Sequence, residues 1–170
     1  MKLRILLFAA AMFGVFPLRA QVPTNTSIDV PDGVRALLLA KGDGVQIYTC
    51  SQEQDGRKWV LKGPNAKLLS PSGTVIGAHS AGPTWKLNDG GEVQGHPIAS
   101  RPSPDANSVP WLLLRAKAGT ETGSLGAVAY IRRTETHGGV APNAGCQVAD
   151  DVGKNVEVPY TATYTFYVSK

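Results

Sequence analysis

The sequence predicts an all-β protein, either a single-domain antiparallel β-sandwich or a small β-barrel. Three observations carry that reading. Apolar and polar residues alternate with a period of two along several segments, which lays one face of each against a core. Turn-forming groups recur at short intervals between those segments: Asp55-Gly56, Ser72-Gly73 and Asn88-Asp89-Gly90-Gly91, with Gly42-Asp43-Gly44 read as another. Only residues 33–40 could pass for a helix by residue type, and there Val34, Ala36, Leu38 and Ala40 also alternate, which suits a strand better.

Residues 1–20 read as a secretory signal peptide. Lys2 and Arg4 precede an apolar stretch from Ile5 to Leu18, and Ala20 offers a small residue at a cut site. The stretch is shorter than the roughly 20 residues of a membrane span, and Pro17 closes it. No Cys follows the cut, which argues against a lipid anchor, so the expected location is secreted or periplasmic, with no stable membrane anchor. Removing the leader takes three basic residues and no acidic one, leaving 14 basic residues against 13 acidic and a net charge of +1. A nucleic-acid partner needs a basic patch on the folded domain, and none is visible.

Residues 21–33 form a polar, proline-containing extended arm. Residues 34–170 then make one β domain, a size that can bury a core of its own. Val45, Ile47 and Thr49 alternate with Gln46, Tyr48 and Cys50, and residues 57–61 form another short strand. Residues 101–110, with three prolines, read as a long surface loop. In residues 111–116 the alternation puts Trp111, Leu113 and Arg115 on one face and Leu112, Leu114 and Ala116 on the core face. Leu125, Ala127, Ala129 and Ile131 alternate with Gly126, Val128, Tyr130 and Arg132. The clearest strand is the last, with Tyr160, Ala162, Tyr164, Phe166 and Val168 on one face.

Two cysteines, Cys50 and Cys146, lie far apart in the exported part and lack metal-type spacing. One structural disulfide is the simplest reading, with two free thiols as the alternative that export disfavours.

Four functional readings suggest themselves. Ala78-His79-Ser80-Ala81-Gly82 approaches the nucleophile elbow of an α/β-hydrolase, with Asp105 and His137 following in the right order. That elbow works between a strand and a helix, and Pro83 and the glycine turn after it leave no room for one. His79, His96 and His137 are the only histidines and none is paired at a ligand spacing, so neither a metal nor a cofactor is implied. An outer-membrane barrel would want longer strands and a terminal aromatic, where this chain has Ser169-Lys170. The aromatics are more suggestive. Trp85 and Trp111 both sit beside turns, where an indole can stack on a sugar or hold a small amphiphile, or can simply close the end of a core.

Several segments, taken in order, resemble the exported domain-of-unknown-function family numbered 3455. They are residues 44–50, Gly82-Pro83-Thr84-Trp85 with Asp89-Gly90, and residues 109–114. Further matches are Tyr130-Ile131 with Arg133, Thr136, Gly138-Gly139, Pro142 and Cys146, and finally residues 158–162. The resemblance implies that both cysteines belong to the family pattern, which strengthens the disulfide reading, and that His79 is a family position while His96 and His137 are not. It also implies an acidic residue after the tryptophan, where this chain has Lys86.

The expected function is an exported, non-catalytic binding or envelope-associated domain. Its ligand, a small molecule or glycan, would sit near His79, Trp85, Asp89 and Trp111. The alternatives are an exported hydrolase-like enzyme using His79 and Asp89 as an acid–base pair, and a purely structural secreted protein.

Overall fold

The computed structural model describes residues 27–170; the signal-peptide reading and the first part of the arm, residues 21–26, lie outside the described residues. Eight strands follow one another: β1 (Val34–Glu53), β2 (Gly56–Leu69), β3 (Val75–Ser80), β4 (Thr84–Leu87), β5 (Glu92–Arg101), β6 (Trp111–Ala116), β7 (Val128–Gly138) and β8 (Asn155–Ser169). Each pairs antiparallel with the next, and β8 returns to β1, so the sheet closes into a barrel. Of the two expected architectures, the barrel is the one formed.

The alternation of β8 decides what fills the lumen. Tyr160, Ala162, Tyr164, Phe166 and Val168 all point inward, as their shared parity requires. They meet Ala40 of β1, Ala66 and Leu68 of β2, Trp85 of β4, Val93 of β5, Leu114 of β6 and Ile131 of β7. Apolar side chains thus fill the interior, while Arg35, Lys41, Lys67 and Arg115 are exposed. The apolar lumen contrasts with the polar, water-filled interior of porin-type barrels. No helix among the described residues is long and apolar enough to cross a membrane. One end of the barrel is stoppered by Leu125, carried on a short 3-10 turn (Gly123–Leu125) between β6 and β7 and packed in the core with Val93, Val128 and Phe166.

Two sequence expectations need correction. Gly42-Asp43-Gly44 is not a turn: β1 runs straight through it, paired with β8 on one side and β2 on the other. The glycines serve close approach. A Cβ on Gly42 would stand 2.7 Å from the Tyr164 ring, and one on Gly44 would stand 2.2 Å from the carbonyl oxygen of Asn65. The face assignment along residues 125–132 also fails, because β7 gains one extra residue against β8 between Val128 and Tyr130. The bulge lets Val128 and Ile131, of opposite parity, both point inward. Residues 102–110 do form a long loop, yet it folds back on the barrel: Val109 is buried, and Thr136 Oγ1 donates to its carbonyl at 2.6 Å.

Cys50 and Cys146 form a disulfide with Cα atoms 5.5 Å apart. It pins the β7–β8 connection to the far part of the β1–β2 hairpin. The same connection is fixed by Asp151, whose carboxylate accepts from Lys154 Nζ at 2.8 Å and from the Val148 and Gln147 amides at 3.1 and 3.0 Å. Those partners, Lys154 first, hold the carboxyl down at about 2. The disulfide closes a sequence separation of 96 residues. Replacing both cysteines by Ser is expected to lower the unfolding free energy by about 2–5 kcal/mol. Urea unfolding of the variant beside the oxidised protein checks this; coincident midpoints would contradict a stabilising role.

Candidate functional site

The end of the barrel opposite Leu125 is hollow. The β3–β4 hairpin places the first pair of candidate residues there. Register pairs His79 with Trp85, so both side chains share the inward face. Their rings stack in parallel, with centroids 4.5 Å apart and planes within 6°. Tyr164 of β8 meets both edge-on, at 4.9 Å from His79 and 5.5 Å from Trp85. The Thr84 carbonyl lies 2.8 Å from His79 Nδ1, and a carbonyl only accepts, so Nδ1 carries the proton. Burial lowers the imidazole pKa to about 4, and the charge of Arg133 pushes in the same direction against the Thr84 bond. His79 is therefore neutral at neutral pH.

From this ring cluster a cavity of about 260 Å³ opens outward. Gln46 of β1, Pro64 of β2, Pro97 of β5 and Leu112 of β6 line it with the rings, and Leu61, Lys62 and Gly82 form an exposed rim. The opening follows from the sheet itself. β2 pairs with β3 only from Ala66 to Leu69, so its outer part has β1 alone as a partner. Strand bulges cluster around it: the register shifts at Lys62 in β2, at Ile98 in β5 and after Thr134 in β7. Such bulges bend strands at barrel rims and re-aim side chains beside sites.

Two features of the walls stand out chemically. Gln46 is 2% exposed and Trp85 1%, yet Gln46 Oε1 and Trp85 Nε1 have no hydrogen-bond partner. An unpaired buried polar group costs about 1–3 kcal/mol. The second feature is Arg133, half-buried on the lumen face of β7, whose Nε and Nη2 donate to the Pro110 carbonyl at 3.1 and 2.7 Å. Its positive charge pulls down the pKa of the Tyr164 phenol, against the larger upward effect of burial. The ion pairs among the described residues all use lysines, so no carboxylate neutralises this guanidinium.

Of the four residues singled out in the sequence, the structure brings two together. His79 and Trp85 share the cavity. Asp89 lies in the β4–β5 turn at the stoppered end, where its carboxylate accepts from the Gly91 amide at 2.8 Å and from Ser124. These bonds hold it below the usual carboxylate range. Trp111 stands on the outer face of β6 beside Leu113, in a small cluster with Ile28 and Val30 of the arm. Arg101 covers its ring at 4.9 Å, and its indole nitrogen is also unpartnered. Ser80 is exposed on the opposite face from His79 and runs into a hairpin, while Asp105 accepts from Ser108 Oγ at 2.6 Å. His96 and His137 are exposed, and no group of three metal-ligating side chains occurs among the described residues.

Gln46, Arg133 and Tyr164 are not among the sequence-predicted site residues, although Arg133 is one of the positions that carry the family resemblance. The available signal was parity: Gln46 alternates in step with Tyr48 and Cys50, and Arg133 in step with Ile131. A polar or charged residue on a lumen face is the informative exception to burial rules.

Fold and pocket together define a class: a small antiparallel barrel, filled at one end and open at the other. Within that class the chain belongs to the family described as "Protein of unknown function (DUF3455)", whose model matches residues 31–168, nearly all of the described structure. Neither the curated proteins nor the solved structures yield a match.

The buried imidazole makes stability depend on pH in a defined window. The unfolded chain binds a proton at His79 below about 6.5, whereas the folded chain does so only near 4. The contribution is complete above pH 6.5 and is lost as pH falls towards 4, by up to about 3 kcal/mol. Urea midpoints measured between pH 7 and pH 4 are expected to fall in the unaltered protein and to fall less in His79→Gln. Parallel slopes in the two proteins would contradict a buried neutral His79.

Proposed function

We propose that this chain is an exported, non-catalytic binding module that holds a small molecule in the hollow end of its barrel. The observation that carries the reading is the cavity itself, whose walls include two buried residues with unpartnered polar atoms, Gln46 and Trp85. A fold maintained for packing alone would gain by replacing such groups with apolar ones of the same shape. A ligand that supplies the missing bonds accounts for their presence. The disulfide and the leader-like first residues support export or envelope association.

The acid–base alternative finds less support. His79 is tied to a backbone carbonyl and stacked on Trp85, while Asp89 is engaged in a turn at the other end. A glycan platform is also less favoured, since Trp85 is enclosed and Arg101 lies over Trp111. The purely structural reading is the one to separate by experiment.

Gln46→Leu does so. On the binding reading it raises the stability of the empty protein by about 1–2 kcal/mol and weakens ligand retention. Retention is read as a mass adduct on protein recovered from its host, present under native conditions and lost on denaturation. A stability gain with no adduct in either protein would favour the structural role.

A further inference from the structure

We infer that the ligand is a small organic monoanion, a carboxylate on a compact apolar body, seated with its charge towards Arg133. The inference rests on the binding reading and adds the chemistry of what is bound.

The cavity is electrostatically one-sided. Arg133 lines it and Lys62 stands at its rim, and no acidic residue is among the lining residues. Arg133 projects into the lumen because it shares parity with Ile131, and its positive charge bears on Tyr48, His79, Tyr160 and Tyr164. Those four groups are three phenols and a neutral imidazole, none of which carries a compensating negative charge. A partly desolvated cation without a counter-charge is costly, and a bound anion removes that cost. The guanidinium is planar and spends only two of its five N–H donors, both on the Pro110 carbonyl.

The shape of that fork matches a carboxylate. One inner cation, with a single lysine at the rim, suits a single negative charge rather than a polyphosphate. The remaining walls set the body of the ligand. Pro64, Pro97, Leu112 and Trp85 offer apolar and ring surface. The volume of about 260 Å³ falls below the roughly 300–1,000 Å³ of drug-sized sites, so the body is compact.

The test compares compact carboxylates with their own neutral amides on protein recovered from its host and freed of bound material by denaturation and refolding. The probes are butanoate to octanoate, benzoate and 4-hydroxybenzoate, each beside its amide. Binding is followed by calorimetry and by the indole N–H resonance of Trp85. At least one carboxylate is expected to move that resonance and to bind about 10–100-fold tighter than its amide, as a bond to a charged group implies. In Arg133→Gln the preference is expected to collapse to within about threefold, and in Arg133→Lys to survive in part. Amides that bind as well as carboxylates would overturn the anion assignment and leave the binding reading intact. A preference that persists in Arg133→Gln would overturn the role of Arg133. If no probe of either kind touches Trp85, both the assignment and the binding reading fail. The carboxylate–amide comparison in the unaltered protein decides the matter even if the arginine variants do not fold.

Discussion

The pairing of β1 with β8 is the constraint on which the rest depends. It runs from Val34 opposite Ser169 to Thr49 opposite Asn155 and converts a linear meander into a closed ring. Closure gives every strand a neighbour on both sides and leaves unpaired edge only over part of a strand, as in outer β2, which limits templates for association. It also forces one face of every strand into a common lumen, where side chains must either pack or leave a void. The close contact of β1 with Tyr164 and β2 is possible only because positions 42 and 44 are glycines.

The lumen meets that demand unevenly. Towards the Leu125 end it is packed with Phe166, Ile131, Val93 and Leu68, all fully buried. Towards the other end the aromatic stack of His79 on Trp85 forms the floor of a space that the chain does not fill. Packing an eight-stranded ring throughout is feasible, since barrels of that size are wide enough for side chains alone to fill or to hold one small ligand. This chain places prolines, bulges, an amide and an uncompensated guanidinium around the space instead. Those choices cost stability, and the binding reading proposed above is the one that accounts for them.

Much of the fold could be read from the residues, because period-two alternation is a local signal. The inward face of β8, the core face of β6 and the hairpin turns at Asp55-Gly56, Ser72-Gly73 and Asn88–Gly91 required no knowledge of the tertiary structure. What failed was non-local. Gly42 and Gly44 look like turn residues until Tyr164 and Asn65 are seen against them, and the bulge in β7 is set by its pairing with β8. The site was half legible for the same reason. Trp85 and His79 are six residues apart across a tight hairpin, so their contact is nearly local. Asp89 follows that pair closely in sequence yet turns away at the stoppered end, and Trp111, one strand and a long loop further on, lies on the outer face. Arg133 and Gln46 reach the cavity only through ring closure.

A crystal structure of the protein recovered from its host, at a resolution that shows individual waters, tests the central claim most directly. The account expects continuous density, larger than water, lying between Arg133 and the walls formed by Gln46 and Trp85. A lumen collapsed onto those side chains, or one holding only waters that satisfy Gln46 Oε1 and Trp85 Nε1, would contradict it.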